Sequence, residues 1–148
     1  MRILLIIAAS ALLAGCGSKP ASMEDLGTRD VVLPGGQTIR VETMIDTKDL
    51  LRGLMFRTSL PPDRGMLFIH MRPGNYPYWM YQTYIPLDMI WMDATKQIVE
   101  IVPSAPPCKT NASKCPHFGG NYMAQYVLQL GGGMAQKYGL HLGDRVSF

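Results

Sequence analysis

Cys108 and Cys115 enclose six residues inside a stretch rich in Pro, Gly, Ser and Asn, and His117 lies two positions further on. Outside the cytoplasm, two cysteines at this spacing form a disulfide that staples a loop lacking regular structure. The same residues offer a second chemistry: the thiolates of Cys108 and Cys115 with the His117 imidazole suit copper(I) or zinc. Zinc sites usually show Cys-x-x-Cys spacing and a fourth ligand, and neither is evident here. A redox-active pair would need that same close spacing. The disulfide is therefore the preferred expectation, with no metal and no cofactor. A further group is aromatic: Tyr76, Tyr78, Trp79, Tyr81 and Tyr84 place five rings within nine residues. Rings beside polar anchors suit stacking against sugars or a protein partner.

Catalytic motifs are missing. The chain has no Gly-x-Ser-x-Gly elbow, no phosphate-binding glycine loop and no His-Glu-x-x-His helix. His70, His117 and His141 are scattered, and a lone histidine is more often structural than a base. Asp88, Asp93 and Glu100 are carboxylates that an acid–base pair for glycoside hydrolysis would need to face one another. Strand alternation sets Asp88 opposite Leu87 and Met89, while Asp93 falls in a turn, so no facing pair is implied. Asp144 caps its own turn.

The elements that must carry these residues are short strands. Val31-Val32-Leu33, a turn at Gly35-Gly36, and an alternating strand over 38–45 with Ile39, Val41 and Ile45 on one face form a hairpin. Asp46 or Thr47 caps a short helix over 48–52. Strands follow over 66–71, 79–83, 87–92, 97–102 and 122–130, then a short helix near 134–138 and a closing strand over 145–148. Turns containing Pro, Gly and Asn separate them. The fold class is mainly β, a compact sandwich or barrel-like domain with two short helices. One domain is expected from 148 residues. A net charge of +3 and a charged fraction of 17% exclude a disordered or nucleic-acid-coating chain. Of the eleven methionines Met1 belongs to the leader, and most of the other ten, Met55, Met66, Met80 and Met89 among them, read as flexible core filler, since they do not cluster in the repeated short-spaced runs of a copper carrier.

Met1-Arg2 leads into an apolar run over 3–14 that is too short to span a bilayer permanently. It ends in Leu13-Ala14-Gly15-Cys16, which resembles the lipobox of bacterial lipoproteins. The resemblance implies removal of signal peptide 1–15, diacylglycerol on the Cys16 sulfur and acylation of the new amino terminus by chains such as palmitate. Such anchors hold a protein on a membrane without a transmembrane helix. Gly17 after the cysteine, in place of aspartate, favours the periplasmic face of the outer membrane in a Gram-negative cell. Residues 16–30 then serve as a tether and 31–148 as the single β domain.

Arg52-Gly53-Leu54-Met55-Phe56-Arg57, Leu60-Pro61 and Gly65-Met66-Leu67-Phe68 resemble the opening signature of an uncharacterised family, domain-of-unknown-function family 192. The match continues through Trp79-Met80, Thr83, Ile85-Pro86-Leu87-Asp88, Val99-Glu100-Ile101, Pro107-Cys108, Tyr126-Val127-Leu128, Gly139 and Gly143-Asp144-Arg145-Val146. After the Trp-Met pair the family usually carries lysine and asparagine, where this chain has Tyr81 and Gln82. The resemblance implies a compact β-sandwich and no established activity. Its polar residues Arg52, Arg57, Trp79, Thr83 and Asp88 are the binding candidates. Arg57 and Asp88 would bracket a groove, the arginine offering a planar fork to a carboxylate or sugar oxygen. They equally suit a structural ion pair, with Trp79 in the core, and structural pairs outnumber functional ones. The expected function is a lipid-anchored envelope module that binds a protein partner or glycan without catalysis. The alternatives are a hydrolase acting through Asp88 and Arg57, and a copper or zinc binding protein.

Overall fold

The computed structural model describes residues 27–148. The signal peptide, Cys16 and most of the expected tether lie outside the described residues. Strands β1 (Thr28–Val32) and β2 (Thr38–Met44) form the expected hairpin, with Val31 opposite Ile39. β1 starts within the stretch expected as tether. Helix α1 (Thr47–Arg52) leads towards β3 (Arg64–Gly74), which pairs parallel to β2; a parallel pair requires such a crossover. The remaining elements are β4 (Tyr78–Trp79), β5 (Leu87–Met92), β6 (Ile98–Ala105), a 3-10 turn at Ala112–Lys114, β7 (His117–Phe118), β8 (Ala124–Gly131) and α2 (Met134–Lys137).

Six strands build one sheet in the order β1-β2-β3-β8-β5-β6, and β4 pairs with β7 in a second, small sheet. The molecule is thus mainly β with two short helices, and the sheet does not close into a barrel. All six residues of β5 are buried, because both faces of this strand are covered. Alternation divides them: Ile90 and Met92 join Val41, Leu67, Leu128 and Leu130 in one core. Leu87, Met89 and Trp91 join Met66, Phe68 and Val127 in the other. The methionines of β5 and Met66 and Met80 are core residues, as expected.

The first core is closed by Ala135 of α2 and by Leu140 and Val146. The segment expected as a strand over 145–148 makes single bridges instead, Val32 to Ser147 and Gln97 to Arg145. It bonds first to the β5–β6 turn and then to the β1 edge, so no one neighbour is long enough to extend it as a strand. The second core lies under β4, β7 and the loop holding the two cysteines. There the expected strand over 79–83 stops at Trp79, because the Thr83 N–H turns back to the Met80 carbonyl oxygen and Gln82 takes a positive φ of 53°. Ile45 lies beyond the end of β2 and is exposed rather than on its inner face.

Trp91, wholly buried, ties this side to the sheet by donating its indole N–H to the Tyr76 carbonyl oxygen at 2.8 Å. Gly119, at φ 60°, lies directly on the Trp91 ring, where a Cβ would overlap it. Among the described residues no helix is long and apolar enough to cross a membrane.

Candidate functional site

The sequence Arg52-Gly53-Leu54 sets the rim of the site. Helix α1 ends at Gly53, whose φ of 45° and ψ of −132° direct Leu54 into the core at 2% exposure. A side chain at Gly53 would meet the Phe68 ring at 3.2 Å, which leaves room for glycine alone without a shift. Arg52 thereby stays outside, at the end of the helix.

Three loops are then tied together through their backbones. The Phe56 N–H donates to the Gln82 carbonyl oxygen at 2.8 Å, and the Gln82 N–H to that of Cys108 at 2.9 Å. The Cys108 N–H returns to the Met80 carbonyl oxygen at 3.1 Å. Cys108 and Cys115 form the expected disulfide. Their sulfurs are therefore unavailable as thiolate ligands, and His117 instead stacks on Trp79, centroids 5.9 Å apart. The alternative copper or zinc set of Cys108, Cys115 and His117 is not assembled; among the described residues no group of three or more His, Cys, Asp or Glu could hold a metal ion.

Between α1, these loops and the sheet lies a cavity of about 320 Å³. Its walls are apolar and aromatic, with Leu54, Phe68 and Leu87 below and Tyr76, Tyr78, Trp79 and Tyr81 at the side. Four of the five clustered aromatic residues thus meet at one place. Tyr84 lies elsewhere, edge-on to Phe56 at 6.3 Å and beneath the Lys109 ammonium at 5.5 Å. His70 also lines the cavity; its ring lies parallel to that of Tyr76 and its Nε2 is 3.1 Å from the Tyr78 hydroxyl. Burial holds the His70 pKa below its ordinary value. Burial, reinforced by Tyr76, pushes the Tyr78 phenol far up, so it stays protonated.

Several polar side chains in this wall have no side-chain hydrogen-bond partner among the described residues, Arg52, Thr83 and Gln129 among them. Thr83 and Gln129 are each only 4% exposed. Since no buried side-chain polar atom is sealed off unpaired, their free atoms open onto the cavity. Gln129 escaped the sequence reading. Its signal was a polar residue two positions from Val127, on a strand face that otherwise points into the core.

Of the five binding candidates, the structure gathers Arg52, Trp79 and Thr83 around this cavity. Arg57 lies in an adjoining hollow of about 330 Å³, which Arg52 also reaches, and pairs with Glu42 at 2.5 Å. Asp88 lines neither and is wholly buried. Its Oδ1 accepts the N–H groups of Ser104 and Gly133 at 2.7 and 2.9 Å, and its Oδ2 that of Ala135 at 2.6 Å. Arg57 and Asp88 thus neither bracket a groove nor pair, which corrects both expectations and removes the basis of a hydrolase acting through them. The other two carboxylates are likewise engaged. Asp93 accepts hydrogen bonds from Thr95 and Gln97 in its turn, and Glu100 from Asn121. Asp144 accepts the His141 N–H at 2.8 Å, capping its turn as expected.

Comparison with known proteins places this architecture. The family model described as uncharacterized ACR, domain of unknown function 192, matches residues 31–148. The chain belongs to family 192. A solved structure of a protein of unknown function from Novosphingobium aromaticivorans DSM 12444 is similar at 27% identity, covering 95% of this chain and 100% of that one, with a TM-score of 0.74. A second, from Sinorhizobium meliloti 1021 and described provisionally as a transcription regulator, is 30% identical over 80% of this chain and 89% of its own, with a TM-score of 0.68. Among curated proteins none matches.

The family 192 signatures now have physical roles. Arg52-Gly53-Leu54 makes the cavity rim. Asp88 of Ile85-Pro86-Leu87-Asp88 fixes the start of α2, where a carboxylate satisfies N–H groups that a helix leaves unpaired. Gln82 holds a left-handed backbone, one that asparagine adopts readily. Tyr81 adds a ring to the cavity wall.

Proposed function

We propose that the domain is a binding module that takes a glycan ring in the aromatic cavity, and that a lipid on Cys16 holds it at the cell envelope. One observation carries the binding reading: Arg52, Thr83 and Gln129, all without side-chain partners among the described residues, converge with Tyr76, Tyr78 and Trp79 on one half-open hollow. A concave aromatic wall with a few polar anchors suits a sugar-sized ligand better than a flat protein surface. Binding is favoured over chemistry because, among the described residues, no carboxylate, cysteine or serine lines the cavity, and its one histidine, His70, is stacked on Tyr76 and engaged by the Tyr78 hydroxyl. The Leu13-Ala14-Gly15-Cys16 sequence supports the anchor and the envelope location.

Tryptophan emission tests the site. The chain has two tryptophans, and Trp91 is wholly buried, so a ligand in the cavity changes the signal of Trp79. A screen of envelope glycan fragments should yield an emission change that Trp79→Ala abolishes. Identical behaviour of the wild type and Trp79→Ala towards every fragment sinks the reading. For the anchor, Cys16→Ser should move the protein from the membrane fraction to the soluble one.

A protein partner is the second reading, favoured by two exposed apolar side chains. Leu51 is 64% exposed on the cavity rim and Phe56 52% exposed on the adjoining hollow. Cross-linking in cells that captures a partner with the wild type but not with Phe56→Ser would support it.

A further inference from the structure

We infer that the ligand of this cavity is an acidic, acylamino-bearing sugar: one ring carrying both a secondary amide and an anionic group. The inference rests on the binding reading above and adds what the polar groups select. Gln129 sits at mid-sheet, opposite Met66 on β3 and Met89 on β5, so its carboxamide is set among apolar neighbours. It is 4% exposed and has no partner among the described residues. A buried carboxamide presents one carbonyl acceptor and an N–H donor pair, and leaving both dry is costly. Another amide answers both at once, its N–H and C=O matching them in one plane, whereas hydroxyls would need two groups held at the right spacing. Thr83, equally buried and unpartnered, adds a hydroxyl beside the same cavity.

Arg52 supplies the second half of the preference. It is exposed, lies at the cavity mouth and has no acidic partner among the described residues, whereas its neighbour Arg57 is neutralised by Glu42. Among the described residues Arg52 is the one arginine or lysine lining the cavity and no carboxylate lines it; Glu42 and Asp49 share only the adjoining hollow with Arg52 and form no ion pair with it. An anion on the ligand would meet a planar fork able to hold both oxygens of a carboxylate. The burial of Gln129 and the exposure of Arg52 order the ligand: amide inward, anion at the mouth, ring against the aromatic wall. A cavity of about 320 Å³ is at the small end of ligand sites and suits one substituted ring rather than a chain of them.

Four probes separate the terms when titrated into the full chain, purified in detergent, by calorimetry and tryptophan emission. N-acetylmuramic acid carries both groups, N-acetylglucosamine only the amide, glucuronic acid only the carboxylate, and glucose neither. The expected result is that the first binds about tenfold tighter than either single-group probe, and that glucose binds weakest. Arg52→Gln should abolish the preference for N-acetylmuramic acid over N-acetylglucosamine. Gln129→Met, close in volume, should abolish the preference for N-acetylmuramic acid over glucuronic acid. Binding of all four probes with equal affinity, or a carboxylate preference that survives Arg52→Gln, overturns this inference and leaves the binding reading standing. No binding of any probe, with Trp79 emission unchanged throughout, overturns both. Arg52 is exposed and outside either core, so its variant folds and keeps the test decisive even where Gln129→Met does not.

Discussion

The His70 imidazole lies flat against the Tyr76 ring, their centroids 3.5 Å apart and their planes 6° apart. Its Nε2 meets the Tyr78 hydroxyl, so the histidine is held between two tyrosines at the cavity wall. Burial there disfavours the imidazolium, and the folded pKa lies below the ordinary 6.5. The unfolded chain therefore takes up a proton first as pH falls. The stability due to neutral His70 is fully present above about pH 6.5 and is lost as pH drops through the folded pKa. Thermal melts from pH 7.5 to 5 should show the wild-type Tm falling below pH 6.5, and His70→Gln should flatten the fall in that window. An equally steep fall in the variant would assign the effect to another group.

Asp88 is a structural carboxylate. Replacing it with asparagine turns one acceptor into an N–H donor facing a backbone N–H, with no water to relieve the conflict. Asp88→Asn should cost about 2–3 kcal/mol in urea unfolding. Hydrogen exchange should quicken at Gly133 and Ala135, the start of α2. A change under 0.5 kcal/mol, roughly that of an ordinary surface substitution, would contradict the assignment.

The disulfide should matter for stability and for the cavity. Closing so short a loop contributes about 2–3 kcal/mol. Cys108 bonds through its backbone to Met80 and Gln82, and Cys115 lies two residues before His117, which pairs with Trp79 of β4. Cys108→Ser with Cys115→Ser should lower the urea midpoint and shift Trp79 emission to the red, while buried Trp91 keeps its signal. An unchanged emission maximum would mean that the wall is held without the staple.

Gln82 holds a φ of 53°, a region costly for most side chains and easier for asparagine. Gln82→Asn should therefore raise stability by up to about 1 kcal/mol, without touching the cavity, which Gln82 does not line. Differential scanning calorimetry reads the change, and a lower Tm would show that the glutamine side chain matters in its own right.

Much of the fold was legible in the chain because strand alternation is local. The span of β5 matched its apolar run, and the hairpin of β1 and β2 followed from alternation around Gly35-Gly36. The cysteines could be read because seven residues of separation permit few arrangements. The strand expected over 79–83 failed for a reason that is not local: the backbone there bonds to Cys108 and Phe56, both more than twenty residues away.

By itself the sequence determined a mainly β domain of family 192 with a stapled loop, because these depend on spacing along the chain. Only the tertiary structure decided what each polar group meets. Arg57 faces Glu42 because α1 and its following loop return the chain beside β2; Asp88, which alternation correctly put opposite Leu87 and Met89, was claimed by backbone from three other segments. The same long-range pairing of β3, β8 and β5 set Gln129 beneath a helix end that carries Arg52. Charge and hydrogen-bond partners are chosen by proximity in space, and no pattern of spacing along a strand encodes that.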